Sequence, residues 1–261
     1  MSQHVNALVL AGRRGPDDPL ARAAGAPHRA LLDVGGVPML ERVVDALRCC
    51  PRIDRIGISI DEPALLDKVP GLADARRRDP ERLRLLASAA SPSASVLQAL
   101  DDFAGDEPLL VTTADHALLD SAMLEHFLAA CQASEADVLL ALVDATRIRE
   151  RFPESRRTYI HFRGASYSGA NLFALQTSAG RRAAEFWTRA EQFRKQPWRL
   201  ARTFGPLTLL LFLLRRLSLE DALQRASAII GARIAAVEMP MAEAAVDVDR
   251  IEDLELVNRL V

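Results

Sequence analysis

Val5-Asn6-Ala7-Leu8-Val9-Leu10-Ala11-Gly12-Arg13-Arg14-Gly15 is the stretch that decides how this chain reads. Val5 to Leu10 is a short, mainly apolar run that stops at glycine, which predicts a buried strand. A loop that turns on glycine can bring backbone N–H groups close to phosphate oxygens. Arg13, Arg14 and the later Arg29 are cations able to neutralise a triphosphate. The loop is not a Walker A motif, since no Gly-Lys-Ser/Thr follows, and it is not the dinucleotide G-x-G-x-x-G. Taken alone, it reads equally well as a surface loop with solvated arginines.

Outward from this loop, strand and helix patterns alternate. Pro38 to Leu47 places Met39, Leu40, Val43, Val44 and Leu47 at helical spacing, with Pro38 suited to a first helical turn. Arg55 to Ile60 alternates and is β-branched, so it predicts a strand. Further on, Ser93 to Phe103 predicts a helix, Leu109 to Thr113 a buried strand, Ser121 to Cys131 a helix and Asp137 to Val143 a strand. The expected fold class is α/β: a mostly parallel central sheet with helices on both faces. Thr158 to Phe162 and Asn171 to Leu175 predict strands around a turn from Gly164 to Gly169. Helices over roughly 178 to 196, 206 to 216 and 218 to 230 follow, forming a helical insertion. Arg233 to Glu238 is expected as a strand, Val246 to Asp249 as an acidic strand, and Ile251 to Leu260 as a final amphipathic helix. The whole chain, 1–261, is expected to be one domain. About 1–150 form its first half, 151–243 a more helical part, and 244–261 a closing strand and helix.

Composition narrows the classes of function. The chain has 261 residues, 49% of them hydrophobic, enough for a substantial core. The 33 basic and 35 acidic residues nearly cancel, which argues against a nucleic-acid partner, whose recognition needs a dominant basic surface. Cys49, Cys50 and Cys131 form no C-x-x-C spacing, so neither a disulfide framework nor a zinc site is expected. With a start that lacks the pattern of a signal peptide, this predicts a cytoplasmic protein. The longest apolar run, Pro206 to Leu214, is shorter than the roughly 20 residues that span a bilayer.

The segment from Ala7 to Leu47 resembles the opening of the MobA-like nucleotidyltransferases, which share a fold with GT-A glycosyltransferases. That family's loop reads L-A-G-G, then a polar stretch with an arginine, a lysine before an apolar pair, and a G-K-P-M-L helix start. Here the matching residues are Leu10-Ala11-Gly12-Arg13, Arg29-Ala30-Leu31-Leu32 and Gly35-Gly36-Val37-Pro38-Met39-Leu40. Arg13 stands for the second glycine. Arg29 stands for the lysine, keeping the charge with a bulkier, planar group. The resemblance implies a nucleotide site at Leu10, Ala11, Gly12, Arg13, Arg14 and Arg29. It extends to Ser95-Val96-Leu97-Gln98-Ala99-Leu100, where the family holds the base and ribose before an S-V-x-x-A-L helix. Ser93 and Ser95 are therefore nucleotide-binding candidates, although one of them is also expected as the helix N-cap.

Asp115, in Thr112-Thr113-Ala114-Asp115-His116, matches the family's metal-binding aspartate. It follows a strand at the carboxyl end of the sheet, where α/β proteins bind ligands. A helix cap is the plain alternative, and His116 reads better as a packed imidazole than as a ligand. Asp247-Val248-Asp249-Arg250-Ile251-Glu252-Asp253-Leu254 resembles the family's closing D-I-D-T-P-E-D-L. On a strand Asp247 and Asp249 would face the same side, and a cation shared with Asp115 would relieve their repulsion. Asp115, Asp247 and Asp249 are thus metal candidates for Mg²⁺ or Mn²⁺, with Asp247 preferred over Asp249. Glu252 and Asp253 are read as favourable charges in the first turn of the last helix. Arg29 and Asp115 are the catalytic candidates.

On the acceptor side, Ser168-Gly169-Ala170-Asn171 resembles the family's G-G-N strand. Arg156, Arg157, Tyr159, Asn171 and Lys195 are candidates to bind the acceptor. The implied activity transfers a nucleoside monophosphate from a nucleoside triphosphate to a small phosphorylated acceptor, with CTP expected first and GTP next. The competing readings are a GT-A glycosyltransferase, weakened by Asp115-His116-Ala117 lacking a D-x-D, and a non-catalytic membrane or partner-binding protein. Residues 206–217 are expected as a helix buried in the fold or in a homodimer interface, with weak peripheral membrane contact as runner-up.

Overall fold

In the computed structural model, residues 4–13, 18–103, 108–192 and 203–261 are described. Strand β1 (Val5–Leu10) lies in the middle of an eight-stranded sheet. It pairs in parallel with β4 (Ile53–Ile60) on one side and β6 (Leu109–Thr113) on the other. Beyond β4 comes β5 (Leu83–Ala87), also parallel. Beyond β6 come β9 (Ser166–Leu175), β7 (Val138–Asp144) and β10 (Ile234–Glu238), with the short β8 (Ile160–His161) pairing on β9. Strand β9 is antiparallel to both neighbours, while β7 and β10 are parallel to each other. The two-residue strands β2 (Asp33–Val34) and β3 (Val37–Pro38) form a separate hairpin.

The alternation in β1 explains the layers. Ala7 and Val9 pack with Leu40 and Val43 of α2 (Met39–Cys49) and Phe127 of α5 (Ser121–Ala133). Leu8 and Leu10 face the other way, toward Val96 and Ala99 of α4 (Pro92–Asp102) and Trp187 of α7 (Gly180–Gln192). Both faces of the sheet are therefore covered by helices, as a central parallel strand apolar on both sides requires.

Two strand expectations need correction. The turn before β9 is confined to residues 162–165, with Gly164 at φ 85° and Phe162 N donating to Ala165 O at 2.9 Å. Gly169 lies inside β9, paired with Leu142. Val246 to Asp249 is extended but joins no ladder, because β6 already has β1 and β9 on its two edges. Other elements had no expectation: α1 (Pro19–Ala23), α3 (Pro70–Arg78), β5 and α6 (Ala145–Arg151). These are short or dominated by charge, so their periodicity is faint.

The second half carries α7, α8 (Pro206–Leu213), α9 (Leu219–Ile230) and the closing α10 (Ile251–Leu260). Helix α9 starts on Ser218, whose hydroxyl accepts from Asp221 N, and stops at Gly231 in the left-handed region, the residue best suited to that conformation. Helix α8 is shorter than expected and is not buried in the fold. Leu207, Leu210, Leu213 and Leu214 are 61%, 52%, 68% and 55% exposed.

Candidate active site

The site forms where β1 and β6 end together. Ala114 N donates to Leu10 O at 3.0 Å, so Asp115 is set beside the Ala11-Gly12 turn. Thr113 Oγ1 donates to one oxygen of Asp115 at 2.5 Å. From the far end of the chain, Val248 N donates to Asp115 O at 3.1 Å. Val246 and Val248 are buried with Leu32, Met39 and Val257, so the aspartates between and after them turn the other way. The alternation expected of a strand survives without a strand. One carboxylate oxygen from each of Asp115, Asp247 and Asp249 lies within 4.8 Å of the others.

Three carboxylates this close repel, and the structure answers with two arginines. Burial raises the pKa of Asp247, and the charges of Asp115 and Asp249 raise it further, while Arg157 opposes them. Arg29 contacts Asp249, donates to Val248 O at 2.5 Å, and sits 3.7 Å from Asp115 and 3.8 Å from Asp18. Its Nε is buried and has no hydrogen-bond partner among the described residues. Arg157, with its side chain only 5% exposed, grips Asp247 through both carboxylate and carbonyl, and pairs with Asp253 at 2.7 Å. Its Nε donates to Ser155 Oγ at 3.0 Å. With these donors committed, Arg157 is a brace of the acidic segment rather than an open cation for an acceptor phosphate. Asp253 does more than charge the first helical turn. Its second oxygen accepts from Asp249 N and Arg250 N, at 3.1 and 3.0 Å, closing the start of α10.

The three carboxylates offer hard oxygen donors and no nitrogen or sulfur, a set that fits Mg²⁺ or Mn²⁺ rather than zinc. The orphaned Arg29 Nε beside them is a donor suited to a phosphate oxygen. His116 is not part of the set. It is buried, burial lowers its pKa to about 4, and neither ring nitrogen has a partner among the described residues. It packs as a neutral imidazole.

Gly12 is exposed, and a Cβ there would come 2.7 Å from Ser88 Oγ, so a side chain at this turn would require Ser88 to shift. A cavity of about 40 Å³ is lined by Leu10, Ala11, Gly12, His28, Arg29 and Asp115, among others. Arg13 turns aside to Asp61 at 3.5 Å and Glu62 at 2.6 Å. Arg14 lies outside the described residues. His28 and Asp61, absent from the sequence reading, tie the loop down. His28 Nδ1 accepts from Ala30 N, which leaves Nε2 to donate to Asp61 at 3.1 Å. Burial alone would raise the Asp61 pKa, but the His28 hydrogen bond and the backbone donors outweigh it and hold it below the usual range. Only proximity in space links these two residues, and no local motif signals it. A concavity of about 710 Å³ between α3 and β5, lined by Arg76, Arg77, Arg84 and Leu85 among others, includes none of these residues.

At the serine turn the N-cap is Ser91, not Ser93 or Ser95. Ser91 Oγ accepts from Ala94 N at 3.3 Å, with Pro92 fitting the first helical turn. Ser95 Oγ accepts from Ala89 N at 2.9 Å and shapes the turn. Ser93 is buried and donates to Glu191 of α7 at 2.5 Å. On the acceptor side, Asn171 adopts φ 47°, a left-handed conformation that asparagine tolerates better than most residues. Its amide lies 3.5 Å from Asp247. Tyr159 packs on the main core under Arg149, 4.7 Å away. Arg156 is exposed in a separate groove of about 540 Å³ with Arg250 and Arg259. The structure therefore brings Arg157 and Asn171 to the acidic cluster and leaves Arg156 and Tyr159 apart from it. Lys195 lies outside the described residues.

A hypothetical transferase from Thermus thermophilus is 31% identical over 97% of this chain and 100% of its own, with a TM-score of 0.79. A CMP:2-keto-3-deoxy-manno-octonic acid synthetase solved with CTP is 12% identical, covers 99% of this chain and 98% of its own, and has a TM-score of 0.60. For a 2-C-methyl-D-erythritol 4-phosphate cytidylyltransferase from Thermus thermophilus the values are 15%, 99%, 98% and 0.56. These last two share the fold. No curated protein matches the sequence. The model of the MobA-like NTP transferase domain matches residues 7–233, and with the acidic cluster at the carboxyl end of its sheet the chain belongs to that family.

Proposed function

We propose that this protein transfers a nucleoside monophosphate from a nucleoside triphosphate to a small phosphorylated acceptor, releasing pyrophosphate and depending on Mg²⁺ or Mn²⁺. CTP is the preferred donor, in keeping with the cytidylyl chemistry named for two of the structural neighbours, and GTP comes second. The observation that carries the reading is the convergence of Asp115, Asp247 and Asp249 from opposite ends of the chain, beside a glycine turn and Arg29.

In this reading the reacting oxygen belongs to the acceptor phosphate. It attacks the α-phosphorus in line with departing pyrophosphate, and the protein contributes position and charge. A divalent ion held by Asp115, Asp247 and Asp249 would offset the negative charge of the α-phosphate and the acceptor oxygen. The exposed backbone at Gly12 leaves room for the triphosphate. Arg29, through its unsatisfied Nε, neutralises phosphate oxygens as it leaves the aspartates. Arg157 and Asp253 hold the Asp247–Asp249 segment in place, and Asn171 steadies Asp247 on the acceptor side. Ser93 and Ser95 shape the turn that receives base and ribose.

The test is pyrophosphate release with each of the four triphosphates, with Mg²⁺ and a pool of phosphorylated small metabolites. Release with CTP that needs both acceptor and metal supports the reading. Release with none of the four removes it. A nucleotide sugar consumed instead would favour glycosyl transfer.

A further inference from the structure

We propose that α8 is a membrane-surface element, its leucines inserting among the lipids of an anionic leaflet while Arg215 and Arg216 meet the headgroups. The helix inverts the usual partition of side chains. Thr208, its one hydroxyl residue, is the buried one and accepts from Arg225 Nη1 at 2.9 Å. Leu207, Leu209, Leu210, Phe212 and Leu213, with Leu214 just after it, are all exposed. A helix that packs its polar residue inward and its leucines outward presents an apolar patch, and such patches mark contact surfaces. Among the described residues, two further contacts tie this segment to the body. Phe212 meets Phe162 edge-on at 6.2 Å, and Arg163 N donates to Leu217 O at 2.8 Å. Eight residues reach only about 12 Å along a helix axis, and among the described residues no helix is long and apolar enough to cross a membrane. Insertion is therefore shallow.

Charge selects the occupant. Residues 192–219 contain no aspartate or glutamate, yet carry Arg194, Lys195, Arg199, Arg202, Arg215 and Arg216, in a chain whose formal net charge is −2. Arg215 and Arg216 lie directly after the apolar helix and are exposed. A second copy of the chain packed on α8 about a two-fold axis would present the same stretch, which has no carboxylate of its own to pair these arginines. Anionic lipid headgroups supply the complementary charge, and the acyl region takes the leucines.

The test is co-sedimentation of the full chain with phosphatidylcholine vesicles, with and without phosphatidylglycerol. Binding should be at least about tenfold stronger with the anionic lipid, and should fall when salt near 1 M shortens the screening length to about 3 Å. Leu210→Glu should abolish binding with an unchanged thermal melt. Arg215→Glu with Arg216→Glu should remove the preference for phosphatidylglycerol, and answers the question if Leu210→Glu fails to fold. Equal recovery on both lipids, or retained binding in a folded Leu210→Glu, would overturn the proposal. So would a salt-insensitive dimer that Leu210→Glu splits and that ignores vesicles. These readouts need no catalytic activity, so they stand apart from the proposed transfer reaction.

Discussion

The acidic edge of the sheet and the leucine helix α8 break the usual rule for side chains in opposite directions. At the sheet edge, charged groups are drawn inward: Arg157 is nearly inaccessible and Asp253 is buried. At α8, leucines are left in solvent. Burying ions costs several kcal/mol each unless they are paired, and exposing a leucine forgoes about 1.5–3 kcal/mol of burial. Neither arrangement is what stability alone would choose. The first is balanced internally by Arg29 and Arg157. The second has no counterpart within the described residues. Substitutions at the acidic edge should therefore disturb chemistry or stability, whereas those at α8 should disturb neither.

The largest expected effect is at Asp115. Asp115→Ala should lower turnover at least ~10²-fold, the scale on which one preorganised electrostatic group acts, with a thermal melt close to wild type. Asp247→Ala and Asp249→Ala, measured the same way with saturating Mg²⁺, separate ligand from neighbour. Near wild-type turnover in Asp115→Ala would falsify the metal assignment.

Stability should respond most to Arg157→Met. It leaves Asp247 and Asp253 without their counter-charge, and breaking a buried pair costs about 3 kcal/mol or more. The partial exposure of Asp247 brings the expected loss to about 2 kcal/mol. Urea unfolding reads this directly. Leu210→Glu, by contrast, should stay within about 0.5 kcal/mol of wild type; a large loss there would mean that α8 is packed after all.

Arg29 links charge pairing to ligand binding. Calorimetry on Arg29→Ala should show triphosphate affinity down by about tenfold, the worth of one charge-assisted hydrogen bond. Acceptor affinity should change less. Mn²⁺ alone should bind more tightly to the variant, because the cation now resting on Asp249 is gone. Weaker Mn²⁺ binding would show instead that Arg29 positions the carboxylates.

The smallest test concerns ordinary core. Cys50 and Cys131 are buried, and Cys49 is exposed. Burial raises the thiol pKa of Cys50 and pushes that of Cys131 up to about 12. A thiol reagent at neutral pH should therefore modify Cys49 alone in the native protein and all three thiols after unfolding. Rapid reaction at Cys131 would mean that the α5 face opens far more readily than its packing implies.

What the sequence determined by itself was local. Val5–Leu10 and Leu109–Thr113 are strands because their apolar runs are short and bounded by turn residues, and Ile251–Leu260 is a helix because its pattern has helical period. Asp115, Asp247 and Asp249 were legible as a set through the motifs they share with a family. Tertiary structure decided the rest. Only the packing of Val246 and Val248 with Leu32 and Met39 shows how an extended segment outside the sheet can still aim two aspartates at Asp115. Only the fold shows that Arg157 is spent on Asp247 and Asp253, that Ser91 caps α4, and that His28 and Asp61 secure the glycine loop. Helix α8 shows the same limit from the other side. Its leucines predicted burial, because periodicity records how apolar a segment is and not which neighbours it meets. Ion pairs and burial are set by groups distant in sequence, and their partners are chosen when the chain packs.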